Sequence, residues 1–223
     1  MQYFVTGIDT DIGKTFITKS IALTFEMKKK SIGVFKPLQS GATRQENNLL
    51  APDLEAIKEL SSNIKTKCSY ILEGEVSPAL AARLAGINID IDKIKNDFIS
   101  FSNQNEITLV EGAGGILAPI SDNLLCADLI KELNIPIILV TVPFLGRLNH
   151  TLLTIHYAKT NNIDIKGIIV NKIPNKTDNL ATQNFIKELK MYTDIPIIGE
   201  VKEINSNNRN VIIDIFTPIC DKL

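Results

Sequence analysis

Cysteine is scarce. The 223-residue chain carries only Cys68, Cys126 and Cys220, far apart, with no CxxC spacing and no histidine beside them. An odd, scattered set argues against both a disulfide framework and a zinc site. Net charge is nearly absent too, since 24 Lys+Arg face 25 Asp+Glu for a formal charge of -1. No global positive field exists to hold nucleic acid or an anionic membrane, so any anion site must be local. Long hydrophobic runs are missing as well. The stretch Ile135–Val142 has the length of a buried strand, well short of the ~20 residues a membrane helix needs. The opening MQYFVTG has no basic region, apolar stretch or cleavage site ahead of it, so no secretory signal is expected. A soluble, reducing, cytoplasmic setting is the default expectation. No repeat, low-complexity tract or Gly/Ser linker divides the chain, and 1–223 reads as one domain. The two histidines, His150 and His156, have no Ser or Cys nucleophile pattern beside them and read as structural.

What is present is an ordinary globular composition, 44% hydrophobic and 22% charged, too apolar for a disordered chain. Short apolar runs recur at Tyr3–Thr6, Ile32–Phe35, Ile107–Val110, Ile135–Val142, Ile165–Val170, Ile195–Ile198 and Val211–Ile215. They read as strands buried on both faces. Between them lie helix-length stretches at Thr15–Met27, Pro52–Leu60, Ala79–Leu84, Asp90–Ser100, Leu124–Leu133, Asn149–Thr160 and Asn179–Met191. This alternation predicts an α/β fold, a doubly wound, mainly parallel sheet flanked by helices. Ser40–Asp53 and the Asn-rich Ser206–Asn210 read as surface loops. Lys28–Lys30 falls at the predicted end of the first helix, where cations offset the negative end of the helix dipole.

Three stretches carry chemistry. Gly7-Ile8-Asp9-Thr10-Asp11-Ile12-Gly13-Lys14-Thr15 follows the first strand and opens the first helix, the context a phosphate-binding loop requires. Backbone N–H groups there point at an anion, Gly13 lets the backbone approach it, Lys14 reaches the phosphates and Thr15 can hold Mg²⁺. The spacing is one residue longer than the strict pattern and Ile8 replaces a glycine, so the loop is a variant. The competing reading is a chance GKT at a tight turn. Val110-Glu111-Gly112-Ala113-Gly114-Gly115 places an acid at the carboxyl end of a buried strand, where open α/β sheets bind ligands. Glu111 is a candidate Mg²⁺ ligand, or the acid of a plain glycine turn. Lys36-Pro37-Leu38-Gln39-Ser40-Gly41 could bring a cation and a hydroxyl to the same crevice. Lys36 equally suits a surface cation before a proline turn.

Together these residues resemble the dethiobiotin synthetase family, ATP-dependent cyclising ligases with a P-loop NTPase-like fold. The resemblance runs along nearly the whole chain. Tyr3–Gly7 leads into Asp9–Thr15, followed by Lys36-Pro37, Ser40-Gly41, Asp53, Val110–Gly115, Leu145-Gly146 with Asn149-His150, and Asn171. The longer phosphate loop is a feature of that family. The resemblance implies closure of a ureido ring from 7,8-diaminononanoate and CO₂ at the expense of ATP. Lys14 and Lys36 would neutralise the transferring phosphoryl and the carbamate, and Thr10 and Ser40 would contact the diamine-carbamate region, making Lys14, Lys36 and Thr10 the catalytic set. Thr15, Asp53 and Glu111 would supply Mg²⁺ oxygens. Asp53 also suits the acid of a helix start, and the two roles can coexist.

The resemblance further implies that Asp11, Ile12, Gly13, Phe16, Gly112, Ala113 and Gly114 join Lys14 and Thr15 around ATP. Asn171 and Lys172 would meet adenine, on which the Val201-Lys202-Glu203 stretch would pack. Asn171-Lys172 also resembles the base reader of GTPases, but Pro174 stands where that motif needs Asp. Gly146, Arg147, Leu148 and Asn149 would form a helix start that receives the substrate's carboxylate in a neighbouring subunit, which implies a homodimer with shared sites. Read without the resemblance, Asn149 is an ordinary N-cap. The rival reading is a deviant P-loop regulatory ATPase of the partition or septum-site type. Its loop carries a signature lysine near the start, where this chain has Ile8-Asp9-Thr10.

Overall fold

The computed structural model describes residues 1–46, 48–172, 179–202 and 208–223. In chain order these form β1 (Gln2–Gly7), α1 (Lys14–Met27), β2 (Ile32–Gln39), β3 (Thr43–Gln45), β4 (Asn48–Leu50), α2 (Pro52–Leu60) and β5 (Lys65–Ile71). Next come α3 (Pro78–Ala85), α4 (Ile91–Ser102), β6 (Ile107–Gly115), β7 (Pro119–Ser121), β8 (Leu124–Leu125), α5 (Cys126–Leu133) and β9 (Ile137–Thr141). The chain finishes with α6 (Arg147–Thr160), β10 (Ile165–Asn171), α7 (Leu180–Tyr192), β11 (Ile197–Val201) and α8 (Arg209–Cys220).

Seven strands make one sheet in the order β11-β10-β9-β1-β6-β2-β5, and every pairing in it is parallel. Helices cover both faces, as an all-parallel sheet demands. Ile17, Ile21 and Leu23 of α1, Ile57 of α2 and Phe216 of α8 pack on one face. Phe98 and Phe101 of α4, Leu129 of α5, Ile155 of α6 and Phe185 of α7 pack on the other. Strand β1 feeds both layers, with Phe4 in one core and Val5 in the other. The predicted doubly wound architecture is thus the one observed. Because β6 lies between β1 and β2, the strand order reverses beside β1 and opens a crevice at the carboxyl ends.

Three local expectations are corrected. Val211–Ile215 is not a strand but part of α8. Ile212, Phe216, Ile219 and Cys220 recur at helical spacing and are buried, whereas Val211 and Asp214 face out, a choice that a short apolar run leaves ambiguous. Ser40–Asp53 is not wholly loop, since β3 and β4 pair antiparallel within it and Pro52 and Asp53 begin α2. Asn149 is not the N-cap of α6, a position taken by Gly146 at φ 83. The edge strand β5, whose KTKCSYI sequence lacks a continuous apolar run, went unpredicted. Lysines along it suit an exposed sheet edge. Lys28 occupies the C-cap position of α1, where that helix was expected to end, and its ammonium pairs with Asp221. Among the described residues no helix is long and apolar enough to cross a membrane.

Candidate active site

The loop after β1 turns into α1 through two residues in the left-handed region, Asp11 at φ 52 and Gly13 at φ 86. A Cβ on Gly13 would lie 2.3 Å from the Asn171 Nδ2 atom, so glycine is required both by φ and by this close approach. The turn aims the first turn of α1 into a cavity of about 420 Å³ at the switch point. Its walls are Thr10, Asp11, Gly13, Lys14 and Thr15 from the loop, Lys36, Leu38, Gln39 and Ser40 from β2 and its end, Asp53 from α2, and Glu111–Gly114 from β6.

Strand register explains the centre of this cavity. Phe35 pairs with Val110, which sets Lys36 beside Glu111, the next residue on each strand. Lys36 Nζ lies 2.8 Å from Glu111 Oε1 and 2.5 Å from Asp53 Oδ2. Lys36 is 3% exposed and Glu111 1%, so the pair is nearly sealed from solvent. The Thr15 hydroxyl lies 2.7 Å from Glu111 Oε1 and 2.9 Å from Asp53 Oδ1. It has one proton and so donates to one carboxylate at a time. Glu111 Oε2 is buried without a hydrogen-bond partner among the described residues. Two carboxylates, one with an unsatisfied oxygen, and a hydroxyl form an all-oxygen donor set of the kind a hard divalent cation prefers.

The two lysines respond oppositely to this setting. Burial, aided by the Lys36 charge, lowers the Lys14 ammonium to about 8. Burial also works against the Lys36 charge, but Glu111 and Asp53 outweigh it and hold that ammonium above its ordinary value. Burial pushes Asp53 upward, yet Lys36 beside it and the hydrogen bonds it accepts leave it below the usual carboxylate range. Lys14 Nζ donates to the backbone carbonyl of Asp9 at 2.7 Å.

Other expected residues sit around this centre. Ile12 is buried beneath the loop, and its carbonyl accepts a hydrogen bond from Asn171 Nδ2 at 2.9 Å. Phe16 packs edge-on against Phe216. The backbone N–H of Lys172 donates to Val201, so these two residues lie together at the ends of β10 and β11. Val201 is buried and Lys202 exposed, while Glu203 lies outside the described residues. Gly146, Arg147, Leu148 and Asn149 do not line the cavity. Leu148 packs on the core, and Arg147 reaches the Asp9 carboxylate. Sequence reasoning passed over Asp9 and Gln39. Asp9 stands inside the phosphate loop and Gln39 between Lys36 and Ser40, so proximity to marked residues was the available signal.

A family model described as "AAA domain" matches residues 1–210. The chain is 36% identical over 221 residues to an ATP-dependent dethiobiotin synthetase BioD of Clostridium perfringens, covering 96% of each chain. It is 35% identical to the enzyme of that name from Anoxybacillus flavithermus, across 95% of this chain and 96% of the relative. To that of Clostridium botulinum it is 40% identical, across 87% of each. Among solved structures, the Aquifex aeolicus MinC:MinD cell division protein complex superposes with a TM-score of 0.62 at 13% identity, covering 99% of this chain and 94% of that one. A ParA family ATPase from Chlorobium tepidum gives 0.58 at 11% identity, covering 99% and 91%. At such low identity these two show a shared fold and no more. Identity of 35–40% along most of the chain to named synthetases establishes that this chain belongs to the ATP-dependent dethiobiotin synthetase family.

Proposed function

We propose that this chain joins 7,8-diaminononanoate and CO₂ into the ureido ring of dethiobiotin while ATP becomes ADP and phosphate, acting through one ligase domain over 1–223. The observation that carries the reading is the Lys36 ammonium held between Asp53 and Glu111 in the cavity that Lys14 and Thr15 also line. Such a cation, kept charged by two carboxylates, is suited to an anion that forms during reaction. One amine of the substrate captures CO₂ as a carbamate. A carbamate oxygen attacks the γ-phosphorus, and the second amine attacks the carbamoyl carbon and expels phosphate. Throughout, the protein's work is positioning and charge neutralisation. Lys14 neutralises the phosphoryl oxygens, Lys36 the carbamate side, and the hydroxyls of Thr10 and Ser40 orient the diamine.

Thr15, Asp53 and Glu111 would hold Mg²⁺, a reading supported by the unsatisfied Glu111 Oε2 and the all-oxygen set. The ion would offset negative charge on the phosphates. Asp11, Ile12, Gly13, Phe16, Gly112, Ala113 and Gly114 border the nucleotide phosphates in this reading. Asn171, Lys172, Val201, Lys202 and Glu203 serve its adenine end, and the contact of Asn171 with Ile12 ties that end to the phosphate loop. The start of α6, Gly146 to Asn149, would receive the substrate's carboxylate in a second copy of the chain. Its N-cap glycine brings no side-chain hydrogen bond, and an apolar groove with exposed Leu117 and Leu153 lies beside it. Free thiols at Cys68, Cys126 and Cys220 suit a cytoplasmic enzyme. The test is phosphate release from Mg-ATP with the diamine and bicarbonate, each omitted in turn, with dethiobiotin read by mass. Release that requires both and yields the cyclic urea supports the ligase; nucleotide turnover without that product moves the chain to the regulatory ATPase reading.

A further inference from the structure

Asp9 and Arg147 stand 138 residues apart and meet at the edge of the phosphate loop. Arg147 Nη1 donates to Asp9 Oδ2 at 2.7 Å and lies 3.0 Å from His150 Nδ1. The arginine extends from a pinned turn. Thr151 donates to the Arg147 carbonyl at 2.7 Å and lies 2.7 Å from the Thr141 hydroxyl at the end of β9. Since Thr151 spends its proton on that carbonyl, Thr141 is the donor of the pair, and both threonines are fully buried. Asp9 is anchored through its neighbour, because the Ile8 N–H donates to Val140 at 3.2 Å. Each atom group of Asp9 then has a task in the loop. Oδ1 accepts from the Thr10 N–H at 2.9 Å, Oδ2 takes Arg147, and the backbone carbonyl takes Lys14 Nζ at 2.7 Å.

We infer that Arg147 is a positioning residue for the bound nucleotide, acting through Asp9 to set the start of the phosphate loop and with it Lys14 and Thr10. The inference rests on reading loop 7–15 as the triphosphate site. It gives the Arg147 side chain a task in its own subunit, distinct from the helix-start backbone offered to a neighbour's substrate. The pair is half exposed, with side chains 33% and 44% accessible. Its Coulombic worth to global stability is therefore small. Its effect lies in loop geometry, where fixing a binding segment in advance lowers the cost of ordering it.

The experiment is a double-mutant cycle of Arg147→Met, Asp9→Asn and the combined variant. The readouts are affinity for a non-hydrolysable Mg-ATP analogue without diamine, steady-state kinetics, and thermal unfolding without ligand. Each single variant should weaken analogue binding about fivefold, and the combined variant no more than the worse single one, since a shared interaction is lost only once. KM for ATP should rise about fivefold, by more than any change in kcat or in the diamine KM, since the nucleotide is what the loop holds. Unchanged analogue affinity, or independent losses that add, would overturn the inference, as would an effect confined to the diamine KM. Asp9→Asn keeps the side chain's shape and carries the test by itself should Arg147→Met fail to fold. A wild-type chain unable to bind the analogue would overturn the triphosphate reading itself, whereas wild-type binding that both variants match overturns only the role of Arg147.

Discussion

Lys36 and Glu111 sit on adjacent parallel strands with 2.8 Å between ammonium and carboxylate, in a position almost closed to solvent. Such a pair is costly to assemble, because both ions lose their water, and costlier to halve. Glu111→Leu should therefore destabilise the fold by about 3–5 kcal/mol, the usual penalty for leaving a buried charge without its partner. Glu111→Gln should cost less, since its amide oxygen can still accept from Lys36 and Thr15 as Glu111 Oε1 does. Denaturant unfolding of the two variants gives the comparison, and a negligible cost for both would show that Glu111 does not compensate Lys36.

Lys36→Ala should lower kcat by at least about a hundredfold while the affinity for an ATP analogue changes only a few-fold, if the ammonium acts chiefly on charge that develops in the transition state. Lys36→Arg should not restore the rate, because a planar fork cannot occupy the compact site between two carboxylates. Single-turnover rates beside equilibrium binding separate the two effects.

The lowered Lys14 value gives a pH signature of definite sign. Folded Lys14 loses its proton near pH 8, against 10.5 for the ordinary group. Between those values the unfolded chain binds more protons, so this residue makes stability rise with pH across the interval. The gain is at most about 3–4 kcal/mol, from two to three pKa units at 1.36 kcal/mol each. The difference in unfolding free energy between wild type and Lys14→Met should therefore shift in favour of wild type from pH 8 to 10.5. If Lys14 neutralises the phosphoryl oxygens as proposed, Mg-ATP affinity should fall over the same range, because the ammonium loses its charge. A pH-independent difference would place Lys14 in a more exposed setting.

Gly13→Ala tests the loop geometry. The φ of 86 is strained for any L-residue, and the new methyl would meet the Asn171 amide. The left-handed backbone alone costs about 1–2 kcal/mol. Relief of the clash should also displace Asn171 from Ile12. Thermal unfolding should drop and nucleotide affinity should weaken by tenfold or more, about 1.4 kcal/mol in binding. Asn171→Ala combined with Gly13→Ala should recover part of the lost thermal stability by removing the clash, without restoring nucleotide affinity.

Much of the architecture was legible because its signals are local. Buried parallel strands need continuous apolar runs, and β1, β2, β6 and β10 have them. The failures have equally local causes. Edge strand β5 needs no two-sided burial, so its polar sequence hides it. The segment around Ile212 reads as a strand over five residues, and only the recurrence through Phe216 and Ile219 reveals α8. Gly146, not Asn149, is the N-cap of α6: the glycine turn that the sequence offers sits at the helix start itself, because glycine adopts the left-handed backbone there.

By itself, the sequence determined the alternation of strands and helices over most of the chain, the glycine turn that leads into Lys14 and Thr15, and the acid that follows the apolar strand at Val110. These are properties of neighbouring residues, written in spacing and periodicity. Tertiary structure alone decided that Lys36 is a buried ion and not a surface cation, because its burial depends on the register of β2 against β6 and on where α2 brings Asp53. It alone decided that Arg147 turns back to Asp9, since a contact across 138 residues exists only once β1 and β9 pair side by side. Long-range contacts of this kind are fixed by packing, and no local pattern encodes them.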